Sequence, residues 1–355
     1  MGVLEDKFCI PPFSILDSKQ KYWMDRKKEW LSIGIESEIG RDAEAFNAQS
    51  WVKDKKISGM AGNLSGVSIF DPVLTELMYK WFCVPRGKIL DPFAGGSVRG
   101  IVASVFGYDY TGGDLRKEQV EANYENIPKL KINLPIEPRW VCGDSVDISN
   151  IDGQYDMIFS CPPYHDLEKY SKDMRDLSNM NYDDFIIKYS EIIKNSCSRL
   201  KDNSFAVFVV GEIRDKDGIY KNFVGNTINA FIKAGLQYYN EIIKIDSIGS
   251  LPMRVSKQFE PYRKIGKLHQ NILVFFKGNT HECKKMGDNK FIPLNEINIE
   301  KIERDTPMYE YKILQEVNVE EVKIETTICE ICHVDYRGST KEEHESRQFH
   351  QNAME

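Results

Sequence analysis

The chain predicts an α/β fold: a doubly wound sheet of seven strands whose last two form an antiparallel hairpin, followed by a small C-terminal Cys/His module. Three observations carry this. From Lys88 onward, short apolar runs alternate with segments of helical period. The first three runs close on acids beside glycine-rich turns, at Asp91, Asp114 and Asp144. The final two runs are joined without a helical pattern, which suggests an antiparallel strand added to a parallel sheet.

Taken in order, residues 1–60 read as a helical extension. Within it, 18–33 predicts a helix, because Tyr22, Trp23, Arg26, Lys27 and Trp30 recur at spacings of three and four. That aromatic stripe, edged by bases, either packs on the main domain or faces a nucleic acid. A loop at 59–66 leads to an apolar-faced helix at 71–82. Residues 61–278 form the main domain. Its strands are expected at 88–91, 108–114, 138–143, 155–161, 204–210, 236–245 and 270–276. Helices are expected at 97–106, 116–127, 182–200 and 221–234, with Asn181 followed by Asp183 and Asp184 as a start signal. Residues 279–327 turn acidic and irregular, as a linker would, and 328–355 hold the Cys/His module.

A hydrophobic share of 41% and a charged share of 28% suit a globular protein, and no apolar run reaches bilayer length. No basic region followed by an apolar core opens the chain, and the cysteines are scattered save Cys329 and Cys332. The expectation is a protein of reduced thiols in the cytoplasm. A formal charge of −7 sits awkwardly with a nucleic-acid partner. The charge is uneven, however. Residues 247–278 carry Arg254, Lys257, Arg263, Lys264, Lys267 and Lys277 against Glu260 alone, whereas 295–327 hold nine acids against four bases.

In such a sheet, ligands bind at the carboxyl ends of the strands. Asp91 ends the first, and Ala94, Gly95 and Gly96 let the backbone turn tightly there and approach a ligand. The pattern is neither the dinucleotide fingerprint nor a phosphate loop. Gly112-Gly113-Asp114 ends the second strand, where a carboxylate can accept both hydroxyls of a ribose. Cys142-Gly143-Asp144 ends the third, where a carboxylate can accept from an adenine amino group. The three acids together suit S-adenosylmethionine, and Phe93, Leu115 and Ser145 join the candidate set.

The run Asp91-Pro92-Phe93-Ala94-Gly95-Gly96 followed by Cys161-Pro162-Pro163-Tyr164 resembles the S-adenosylmethionine-dependent DNA methyltransferases that modify exocyclic amino groups (N4 of cytosine, N6 of adenine). Phage-borne or prophage-borne members are especially similar in Phe159–Tyr164, Leu167-Glu168 and Gly266–Gln270. The resemblance spans about residues 8–278. It implies a Rossmann-like class I methyltransferase sheet. It also implies cofactor roles for Asp91, Gly95, Asp114 and Asp144, and target-base roles for Cys161, Pro162, Pro163 and Tyr164.

The chemistry explains these residue types. An exocyclic amine is a poor nucleophile because its lone pair is delocalised into the ring. Acceptors for its two hydrogens, the Pro162 carbonyl among them, return density to nitrogen. Tyr164 offers a stacking face to an extruded base. Cys161 departs from the Asp, Asn or Ser of relatives, since a thiol accepts weakly. One alternative therefore stays open, methylation at C5 of a pyrimidine with Cys161 as nucleophile and Glu212 as acid. RNA as substrate, or a non-catalytic nucleic-acid-binding module, also stays open. Bases interleaved with aromatics in 247–267 (Arg254, Lys257, Arg263, Lys264 and Lys267) are the candidate nucleic-acid contacts. Only 70 residues separate Asp91 from Cys161, too few for a sequence-reading insertion.

In the tail, Cys329, Cys332, His344 and His350 have the ligand types and spacing of a structural zinc site. The wide His spacing resembles a matrin-type finger. From 328 to 355 three bases face six acids, which favours protein contact over DNA gripping.

Overall fold

Alternation along residues 200–210 sets the plan of the molecule. Phe205, Val207 and Val209 point to one side, and Ala206, Phe208 and Val210 to the other, all of them buried. A strand covered on both faces belongs to the middle of a layered sheet.

The computed structural model describes residues 7–35, 70–147, 151–167, 169–249, 251–283 and 291–297, all within one compact unit, Met1–Glu303. Its strands are β1 (Ile15–Asp17), β2 (Lys88–Asp91), β3 (Asp109–Asp114), β4 (Arg139–Cys142), β5 (Tyr155–Ser160), β6 (Leu200–Val210), β7 (Gln237–Ile245) and β8 (His269–Lys277). They form one sheet in the order β1-β7-β8-β6-β5-β2-β3-β4. Strands β2 to β6 pair in parallel, whereas β8 runs antiparallel to both β6 and β7. From β4 to β7 this is a mostly parallel, Rossmann-like sheet.

The helices are α1 (Lys21–Ser32), α2 (Pro72–Phe82), α3 (Val98–Val105), α4 (Lys117–Asn126), α5 (Tyr182–Ser198), α6 (Phe223–Lys233) and α7 (Leu251–Tyr262). Side chains of α1, α2 and α3 share the core of one sheet face, and those of α5 and α6 share the other. Helix starts follow local chemistry. Asp71 accepts from the Val73 N–H at 3.0 Å ahead of Pro72, and Asn181 accepts from the Asp184 N–H at 3.0 Å. Among the described residues no helix is long and apolar enough to cross a membrane.

Two features correct the sequence expectation. The sheet has eight strands, because β1 pairs in parallel with β7 at the edge, Leu16 opposite Lys244. Three residues are too few for a visible period. The last two strands are also not joined by a loop, since α7 stands between them. Pro252 and Pro261 break the helical reading of that segment, although a proline at either end of a helix is tolerated.

Of the stripe on α1, Trp23, Arg26 and Trp30 pack inward, whereas Tyr22 is exposed and Lys27 half-buried. Trp23 and Trp30 are fully buried, and Arg26 forks onto Glu76 of α2 at 2.7 and 2.8 Å. Trp30 Nε1 donates to the same carboxylate at 2.8 Å. The acidic segment after β8 returns to this helix, where the Leu294 N–H donates to Glu29 and Arg26 donates to the Ile292 carbonyl.

Candidate active site

Every parallel strand from β2 to β6 delivers its carboxyl end to one edge of the sheet. The antiparallel register brings the start of β8 to the same edge, with Asn271 opposite Val210 and His269 opposite Ile245. A cavity of about 680 Å³ opens there. Its walls include Phe93, Ala94, Gly95, Gly96, Asp114, Leu115, Asp144 and Ser145 on one side, and Cys161, Pro162, Pro163 and Tyr164 on the other. The glycine turn and the double proline thus face a single space.

The turn is held from three directions. Gly95 sits at φ +51°, a conformation that glycine adopts without steric cost. Its N–H donates to Asp114 at 2.9 Å, and the Ala94 N–H donates to the Gly113 carbonyl at 2.9 Å. Ser145 ties the third strand end to the first by donating to the Pro92 carbonyl at 2.6 Å. Asp144 accepts from the Val146 N–H and pairs with Lys188 of α5 at 2.9 Å. The Phe93 ring leans on Tyr189 with centroids 5.9 Å apart.

Asp91 is placed differently from expectation. It is fully buried and does not line the cavity. Arg99 meets it at 2.5 Å, the Tyr110 hydroxyl at 2.8 Å and the Ser160 hydroxyl at 2.5 Å. Arg99 then reaches the Phe93 and Ala94 carbonyls, so the acid supports the turn from beneath instead of touching a ligand. Burial works against the Arg99 cation, yet Asp91 and then Tyr110 hold its pKa above the ordinary value. Ser160, whose hydroxyl donates to Asp91, is fully buried and does not line the cavity, and so it does not replace Cys161 as an acceptor.

The second half of the site is Cys161 to Tyr164. Cys161 Sγ lies 3.9 Å from the Tyr164 hydroxyl, which also receives Gln270 Nε2 at 3.5 Å. Burial, and then the neighbouring Cys161, raises the Tyr164 pKa well above its usual value, so the phenol stays neutral. Behind this run His165 adopts φ +51° with its ring between Asp166, 2.8 Å away, and the Met180 carbonyl, 2.9 Å away.

Glu212 does not share the cavity with Cys161. Its carboxylate accepts the Phe223 and Val224 N–H groups at 3.2 and 3.0 Å, capping α6. It faces a second cavity of about 250 Å³, which Tyr164 also lines. The helix dipole and two orphan N–H groups explain why an acid stands there. Of the basic candidates, Lys257 and Arg263 are exposed on or beside α7, and Lys264 is half-buried. The Arg263 guanidinium lies over the Phe259 ring at 5.4 Å. Lys267 Nζ is turned inward to the second cavity and is buried. The Arg254 side chain, and Cys329, Cys332, His344 and His350, lie outside the described residues.

Several lining residues escaped the sequence reading. Met24 and Lys27 of α1, Lys244 and Asp246 at the end of β7, and Gln270 of β8 also line the cavity. Gln270, in the run Gly266–Gln270, and Lys27, in the aromatic stripe edged by bases, carried a local signal. The others arrive only through the pairing of β1 with β7.

No family model and no curated protein matches the chain. Among solved structures, it resembles TrmN from Thermus thermophilus at 13% identity and a TM-score of 0.38, covering 59% of this chain and 49% of that one. The chain therefore spans about half the length of that protein. A methyltransferase from Pyrococcus furiosus is 18% identical with a TM-score of 0.39, covering 65% of this chain and 100% of that one. A candidate DNA modification methylase, also from Thermus thermophilus, is 16% identical with a TM-score of 0.29, covering 39% and 51%. Likeness at this level does not extend to activity.

Proposed function

We propose that the chain is an S-adenosylmethionine-dependent methyltransferase acting on an exocyclic amino group of a base in DNA. One observation carries the reading. The glycine turn, the strand-end acids Asp114 and Asp144, and the run Cys161–Tyr164 line one cavity.

The residues present fit the cofactor. Gly95 and Gly96 leave no side chain in the turn, Asp114 presents a carboxylate to a diol, and Phe93 and Leu115 add apolar wall. When bound, S-adenosylmethionine supplies an electrophilic methyl group. Pro162 offers its carbonyl to one amine hydrogen, which localises the nitrogen lone pair. Tyr164, neutral and edged against Phe223, gives a flipped base a face to stack on. Exposed Lys257 and Arg263 suit the phosphates near the mouth. Cys329, Cys332, His344 and His350 are proposed as a separate zinc site on ligand type and spacing alone.

Tritiated methyl transfer to unmethylated DNA, with RNA as competitor, tests the reading. Label in a DNA base is the expected result, and label recovered only in RNA or in neither overturns it. Asp114→Ala is expected to weaken cofactor binding roughly 10- to 100-fold by calorimetry, while DNA affinity is unchanged. An unchanged cofactor affinity would remove the ribose role.

The pyrimidine-C5 alternative needs an acid beside Cys161, and Glu212 is committed to α6. Cys161→Ser is therefore expected to keep activity within about tenfold, because a hydroxyl accepts better than a thiol. Complete loss, together with a covalent adduct formed by the unsubstituted protein on 5-fluorocytosine DNA, would reinstate the nucleophile.

A further inference from the structure

The second cavity, of about 250 Å³, shares five residues with the larger one: Tyr164, Leu167, Asp246, Ser247 and Gln270. Tyr164 thus borders both compartments, with Pro162 lining the first and Lys267 the second. The smaller compartment contains an anomaly. Lys267 Nζ is buried there with no hydrogen-bond partner among the described residues. A buried polar group left unpaired is costly, and a charged one more so. Burial depresses the pKa of this lysine, with Glu212 acting against the shift.

Gly211 creates the space the ammonium occupies. A Cβ at that position would lie 3.3 Å from Lys267 Nζ and 3.9 Å from the Tyr164 ring. The ammonium is therefore beside the edge of the proposed stacking platform. A phosphate is a poor match, because Glu212 and Asp246 line the same compartment and would repel it. A neutral carbonyl oxygen is a good one.

We infer that Lys267 reads the carbonyl oxygen of a pyrimidine stacked on Tyr164, so that the methylated base is cytosine, at N4. This rests on the methyl-transfer reading above. A cytosine whose amino group reaches toward Pro162 carries its O2 on the same edge of the ring, two ring positions from that amine with N3 between. Adenine placed the same way presents a C–H at the equivalent position. The ammonium then stays unpaired, and a site built to hydrogen-bond one substrate rejects an analogue lacking the group.

The test uses the full chain, tritiated S-adenosylmethionine and unmethylated genomic DNA, with the product nucleosides separated and identified. N4-methylcytosine is expected. Lys267→Met is expected to lower kcat/KM roughly 10- to 100-fold, with Lys267→Arg recovering part of the loss. DNA binding by Lys267→Met should keep its salt dependence, whereas loss of a phosphate contact would make the slope shallower by about one. Since the substitution removes an unpartnered charge, the free variant should unfold at no lower temperature than the parent. N6-methyladenine or 5-methylcytosine as the product, a shallower salt slope, or a lower unfolding temperature overturns the inference and leaves methyl transfer standing. No methylated nucleoside at all overturns methyl transfer itself, and the inference with it.

Discussion

Asp91→Ala is expected to destabilise the cofactor-free protein by roughly 3–5 kcal/mol, read as a lowered midpoint in urea denaturation. The carboxylate is fully buried and holds Arg99, Tyr110 and Ser160 at once. Its removal leaves the buried Arg99 cation without its counter-charge, held by the Phe93 and Ala94 carbonyls and the Phe70 ring. A direct ligand role would instead weaken cofactor binding and leave the denaturation midpoint in place. The same experiment thus separates an acid that touches the ligand from one that shapes the turn around it.

Glu76→Ala is expected to cost a similar amount, about 3–5 kcal/mol, for a related reason. Glu76 is wholly buried and takes two bonds from Arg26 and one from Trp30. Without it, the charged end of Arg26 keeps only Glu29 and the Ile292 carbonyl. Measured against a typical total of about 5–15 kcal/mol, the loss threatens the whole unit. Amide exchange should speed first in α1. A midpoint unchanged within error would mean that α1 is an appendage and not part of the core.

The order of the seven predicted strands was legible because each carries its own apolar period or, in β2, β3 and β4, its own closing turn. Asn181 announced α5 because capping is a local matter. By contrast, β1 has only one buried residue, Leu16, and no alternation to detect. Helix α7 was masked by two prolines and by residues that are mostly exposed.

The candidate site divides the same way. Gly95, Asp114 and Asp144 lie in contiguous motifs, so they could be found from spacing. Asp91 had the right residue type in the right motif, but its burial depends on Arg99 and Tyr110, which fold back from other elements. Glu212 and Lys267 show a second limit. Residue type told that each carries charge, and only the arrangement of β6, α6 and β8 told which way each charge points.

The pairing of β1 with β7 ties two properties to one short piece of chain. Residues 15–27 complete the edge of the sheet and supply Ser18, Met24 and Lys27 to the cavity wall. Under the proposed function, drift in target choice through this segment carries a folding cost. A lineage can alter that wall only with changes the sheet edge tolerates.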